Sequence, residues 1–212
     1  MQDIEVRIPC EDFTLEGKWY CPEGDGPFPA VIICHPHPLY GGNFRNNVVR
    51  AVYWELARLS IAVLRFNFRG VGESGGAYGD GIAEVRDVQA AIEFALKQPG
   101  IDAKRIGLAG YSFGGGVSVR VIDVDRRIKA LALISPMLDE NSWTILGNLA
   151  VPKLIVVGNE DAYFPASGYE ANISKVAAPK EFKVVPGADH FWQGREAELA
   201  AAVGRFIVES LK

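Results

Sequence analysis

The chain has 212 residues, of which 49% are hydrophobic and 23% charged, an ordinary globular composition long enough to bury a core without disulfides or metals. Its formal net charge of −4, with both signs scattered, argues against nucleic acid or an anionic membrane as partner. The start lacks a basic and then apolar leader, no apolar run approaches the ~20 residues of a membrane span, and the cysteines (Cys10, Cys21, Cys34) are odd in number, so a cytoplasmic location is expected.

In chain order, Ile4 to Ile8 and Phe13 to Tyr20 read as an antiparallel hairpin at a sheet edge. Ala30-Val31-Ile32-Ile33-Cys34 is a continuous apolar run, the pattern of a strand covered on both faces. Val48, Val49, Val52, Tyr53, Leu56 and Leu59 then recur at helical spacing. A strand is expected over Ile61 to Phe66, and a helix from Ile82 to Leu96 that Pro99-Gly100 stops. Ile106 to Ala109 reads as the next strand, with a helix starting at Phe113 or Gly114. Three further buried strands follow at Ala130 to Ile134, Leu154 to Val157 and Phe182 to Val185, before a last helix carrying Leu199, Val203, Phe206, Ile207 and Leu211. Strands alternating with helices predict one α/β domain over residues 1–212, its mostly parallel sheet flanked by helices on both faces. Only 17 residues separate Ser135 from Lys153, too few for a helical lid, so an open or shallow site is expected.

Gly110-Tyr111-Ser112-Phe113-Gly114 fits G-x-S-x-G between a strand and a helix, the setting of a tight turn that lifts a serine hydroxyl above a sheet. A glycine-rich turn with an ordinary serine is the bland alternative, and the strand-to-helix context argues against it. A serine needs a base, and of the three histidines His190 lies in a loop after the last strand. Asp161 follows the strand Leu154 to Val157 and is the expected acid, with Glu160 and Asp139 as rivals. The order Ser, Asp, His is that of the α/β-hydrolases. The oxyanion hole is expected from the backbone N–H of Phe113 and one from His35-Pro36-His37-Pro38-Leu39-Tyr40, where His37 is favoured and Leu39 and Tyr40 are reserves.

Two rival motifs are weaker. His35, His37 and His190 are a formal three-histidine zinc set, but two prolines constrain the pair and Ser112 would lose its base, so no metal is expected. Gly70-Val71-Gly72-Glu73-Ser74-Gly75 matches G-x-G-x-x-G without opening a helix, and reads as a flexible loop beside the site, with Arg69 structural.

With its His35 to Gly42 segment (H-P-H-P-L-Y-G-G), Arg65 to Ser74, and Gly110 to Gly115, the chain resembles small, lidless α/β-hydrolases related to dienelactone hydrolase. The resemblance implies a serine hydrolase without cofactor, acting on a small-molecule substrate, and it admits a homodimer. Dienelactone hydrolase uses a cysteine where this chain has Ser112, which favours ordinary ester chemistry on small soluble acyl esters. Tyr40, Phe44, Trp143, Phe164 and Trp192 are the expected lining of an apolar acyl pocket, or else a cap on the core. A serine peptidase acting on short peptides and a non-catalytic binding protein of the same fold are the alternatives.

Overall fold

The structure, a computed structural model, describes residues 3–212. The apolar runs become the inner strands β3 (Phe28–Cys34), β4 (Ala62–Phe66), β5 (Ile101–Tyr111), β6 (Ile128–Ile134) and β7 (Lys153–Gly158), with β8 (Lys180–Val185) at one edge. The hairpin β1 (Ile4–Cys10) and β2 (Phe13–Tyr20) forms the other edge, and β2 pairs antiparallel with β4. The strand order is β1-β2-β4-β3-β5-β6-β7-β8, and the pairs from β4 to β8 are parallel.

Two helices cover one face of the sheet: α1 (Asn47–Arg58) and α6 (Glu196–Ser210), at the C-terminus. The other face carries α2 (Glu84–Leu96), α3 (Phe113–Val124), α4 (Glu140–Asn148) and α5 (Ala166–Ile173). In α1, Val48, Val49, Val52, Tyr53 and Leu56 are buried, at about 1.5–3 kcal/mol for a side chain of this size. That outweighs the penalty of about half a kilocalorie per β-branched residue, and packing decides the helix. The Asn46 side chain caps it by accepting from the N–H groups of Val48 and Val49.

The expected strands and main helices are present: β2 keeps its expected bounds, β4 and α2 start later than expected, at Ala62 and Glu84, and the other strands run beyond their expected ends, β5 the furthest. Helices α4 and α5 were not expected. The first lies inside the 17 residues between Ser135 and Lys153, and packs Leu146 into the core rather than arching over the strand ends. None of the described helices is long and apolar enough to cross a membrane.

The strand order reverses at β3, whose parallel neighbours β4 and β5 follow it in sequence on opposite sides. The loops after β3 and β5 diverge there, opening a crevice at their carboxyl ends, where ligands bind in open α/β sheets.

Candidate active site

Ser112 caps α3 at the end of β5, with φ +53° and ψ −115°, a conformation costing a non-glycine residue about 1–3 kcal/mol. The surroundings hold it there. Its N–H donates to the Ile134 carbonyl (2.9 Å), and its carbonyl accepts from Met137 (2.9 Å) and Gly115 (3.0 Å). The flanking glycines are obligatory: a Cβ at Gly110 would strike the Gly114 carbonyl, and one at Gly114 the carbonyls of Cys34 and His35.

His190 Nε2 lies 3.1 Å from Ser112 Oγ, and its Nδ1 lies 2.8 Å from Asp161 Oδ2. All three residues are buried to more than nine-tenths. The Asp161 carboxylate also accepts from the backbone N–H groups of Tyr163 (3.0 Å) and Phe164 (2.8 Å). Burial works to raise its pKa, but the His190 ring, the Phe164 N–H and the Ser135 hydroxyl together hold it below the ordinary value. An ionised Asp161 orients the ring so that Nδ1–H donates to it and Nε2 is free to accept from the serine. The Tyr111 hydroxyl fixes the same loop by donating to the His190 carbonyl (2.7 Å).

Neither acidic rival reaches the ring. Glu160 is exposed, and Asp139 caps α4 while pairing with Arg120 at 2.9 Å. The loop after β3 likewise separates its candidates. The Leu39 N–H donates to the His37 Nδ1 (3.2 Å) and the Tyr40 N–H to the His37 carbonyl (3.1 Å). The N–H groups of His37 and Phe113 have no acceptor among the described residues.

His35 and His37 are committed differently from zinc ligands. His35 is fully buried, donating from Nδ1 to the Pro36 carbonyl (2.6 Å) and accepting at Nε2 from the Phe68 N–H (3.0 Å). Burial pushes its pKa down to about 4 despite the Pro36 contact, so the ring is neutral. The His37 ring lies between Tyr40, Tyr78 and Phe113, with centroids 4.7, 5.4 and 4.9 Å away. Its Nε2 is 3.3 Å from the Tyr78 hydroxyl.

The expected pocket lining is corrected at three positions. Trp192 is fully buried behind the triad, where its indole bonds Ser135. Phe44 is buried under the edge beside Arg65, whose guanidinium lies 5.5 Å from its ring. Trp143 packs edge-on to Tyr169 (6.1 Å) and lines a cleft of about 930 Å³ that contains no triad residue. Phe164, 5.4 Å from the His190 ring, and Tyr40, beside His37, do lie at the site. Tyr163 and Phe191, missed in the sequence, stand 5.2 and 5.7 Å from the same ring. Each is within two positions of a residue already singled out, which was the available signal.

The glycine loop is pinned rather than flexible. The Ser74 hydroxyl donates to the Asn67 carbonyl (2.8 Å), and the buried Glu84 carboxylate accepts from the N–H groups of Gly79 and Gly81, both at 2.8 Å. Arg69 is structural, donating to the buried Asp87 through Nε (2.9 Å) and Nη2 (2.8 Å). The loop thus delivers Tyr78 to His37.

Known proteins share this architecture. The profile of the X-Pro dipeptidyl-peptidase (S15) family matches residues 13–199. An uncharacterised protein of Rickettsia prowazekii is 30% identical over 202 residues, covering 92% of this chain and 84% of its own. An α/β serine hydrolase homologue from Coxiella burnetii superposes with a TM-score of 0.87 at 35% identity, covering 97% of both chains. A lidless α/β serine hydrolase from Xanthomonas campestris gives 0.86 at 26% identity, covering all of this chain and 96% of the other. The chain therefore belongs to the S15 family, within the α/β-hydrolase superfamily of serine hydrolases.

Proposed function

We propose that the protein is a carboxylesterase that works through an acyl-enzyme on Ser112, with His190 as general base and acid and Asp161 as its orienting carboxylate. The observation that carries this reading is the continuous hydrogen-bonded line from Ser112 Oγ through His190 to Asp161. His190 Nε2 takes the serine proton as Oγ bonds the ester carbonyl carbon. The Phe113 and His37 N–H groups receive the oxyanion, and the two are unspent among the described residues. Collapse breaks the carbon–oxygen bond to the alcohol, which leaves with the proton from His190. Water then repeats the sequence and releases the acid. The chemistry draws on no cofactor.

The family profile favours a second reading, in which the same line cleaves short peptides after an amino-terminal X-Pro pair. One experiment separates the two. A fluorophosphonate probe is expected to label wild type and not Ser112→Ala, and 4-nitrophenyl butyrate turnover is expected to fall by about a millionfold in the variant. Turnover of an alanyl-prolyl 4-nitroanilide above that of the ester would replace esterase with peptidase. A folded wild type that takes no label would overturn both readings.

A further inference from the structure

Nine large apolar side chains are exposed among the described residues, and six stand on loops that follow the sheet's strands at their carboxyl ends: Leu39, Tyr40, Ile82, Met137, Tyr163 and Phe191. Scattered apolar exposure is normal, but a ring of it around one point is not. For four of the six that point is Ser112 and its neighbours. On the base side, Tyr163 and Phe191 pack against the His190 ring and each other, with centroids 5.7 Å apart. On the oxyanion side, Tyr40 covers His37, whose ring touches Phe113, the residue after the serine. Met137 is joined to the Ser112 carbonyl by its own N–H, at 2.9 Å. Tyr40 is 87% exposed and Ile82 72%, so the ring is presented outward rather than folded over the core.

Charged groups beside this surface are largely spent: the buried Glu84 holds the Gly79 and Gly81 N–H groups and Arg120 is bound to Asp139 and the Gly81 carbonyl, while Asp80 stands exposed. An anionic acyl group would meet repulsion there and no unpaired partner.

Building on the esterase reading, we propose that the substrates are neutral esters whose acyl group is an apolar chain of medium length or an aromatic ring, laid across this rim. Such a group gains by covering the rim and an acetyl group is too short to do so. Hydrolysis consumes one water and gives the apolar acid and the free alcohol.

The test is the dependence of kcat/KM on acyl length for the 4-nitrophenyl esters from acetate to octanoate, below their micellar concentrations, together with the anionic hemisuccinate. Each methylene up to hexanoate is expected to raise kcat/KM about two- to fourfold. The hemisuccinate is expected about tenfold below butyrate. Leu39→Ser and Phe191→Ser are each expected to lower the hexanoate-to-acetate ratio. A flat or falling profile in a wild type that takes the fluorophosphonate on Ser112 overturns the proposal and leaves the serine hydrolase standing. A wild type without label or turnover overturns both. A flat profile in a protein that sediments as a dimer, and becomes a monomer as Tyr163→Ser, assigns the rim to a second copy instead.

Discussion

The indole Nε1 of Trp192 donates a hydrogen bond of 3.3 Å to the hydroxyl of Ser135, and both residues are fully buried. Both also have positive φ, at +59° and +37°, so each carries strain its surroundings must hold. Accepting from the indole leaves the Ser135 proton for Asp161, whose carboxylate that hydroxyl helps to keep ionised. Ser135→Ala strands the indole N–H in the core, and is expected to cost about 1–3 kcal/mol of stability. Urea unfolding measures this, and a loss under about 0.5 kcal/mol would show the bond to be idle.

The acid is separable from its neighbour by substitution. Asp161→Asn keeps the shape but favours the wrong imidazole tautomer, and is expected to lower kcat by about 10⁴-fold. Glu160 is exposed and outside the line, so Glu160→Gln is expected to stay within about twofold of wild type, the range of an exposed surface change. Steady-state kinetics on an activated ester decides between them, and equal losses in the two variants would contradict the assignment.

Much of this arrangement is written in the sequence because its signals are local. The strand–turn–helix around Ser112 shows as an apolar run, two glycines and small residues in succession, and Asp161 and His190 sit at predicted strand ends. What escaped depends on burial direction, which a loop sequence does not encode. Trp192 lies two positions after the histidine like a pocket residue, yet its positive φ turns the ring inward against Ser135. Glu84 reads as an acidic residue in a first helical turn, and only the folded loop shows its two oxygens holding Gly79 and Gly81. Helix α5 lacked a clear apolar stripe, with Tyr169 its one buried side chain. Helix α4 buries two, Ser142 and Leu146, so periodicity was faint in both.

The buried His35 predicts an acid sensitivity. Its folded pKa of about 4 lies below the 6.5 of a free histidine, so the unfolded chain binds the extra proton first as pH falls. Its contribution is intact above pH 6.5 and is lost progressively down to about pH 4, by up to about 3 kcal/mol. His35→Asn strands the Phe68 N–H and is expected to be less stable at pH 7, but without this part of the pH dependence. Stabilities from urea melts at about pH 7, 5.5 and 4.5, the first above that window and the others within it, should therefore converge. Parallel curves for wild type and variant would contradict a neutral buried His35.

The second oxyanion donor can be tested by removing one hydrogen. His37 has φ −55° and ψ 121°, backbone angles that a proline adopts without strain. His37→Pro therefore deletes the N–H while sparing the backbone, but it also deletes the ring that packs on Phe113 and meets Tyr78. His37→Ala loses the same ring and keeps the N–H. The ratio of the two variants isolates the donor, and kcat is expected to be about 100- to 1000-fold lower in His37→Pro than in His37→Ala. Fluorophosphonate labelling of both would show that Ser112 and His190 remain assembled. Matching kcat values in the two variants would move the donor away from His37. Leu39 and Tyr40 would then need to release their N–H groups from His37 before either could serve, since both are spent in the free enzyme.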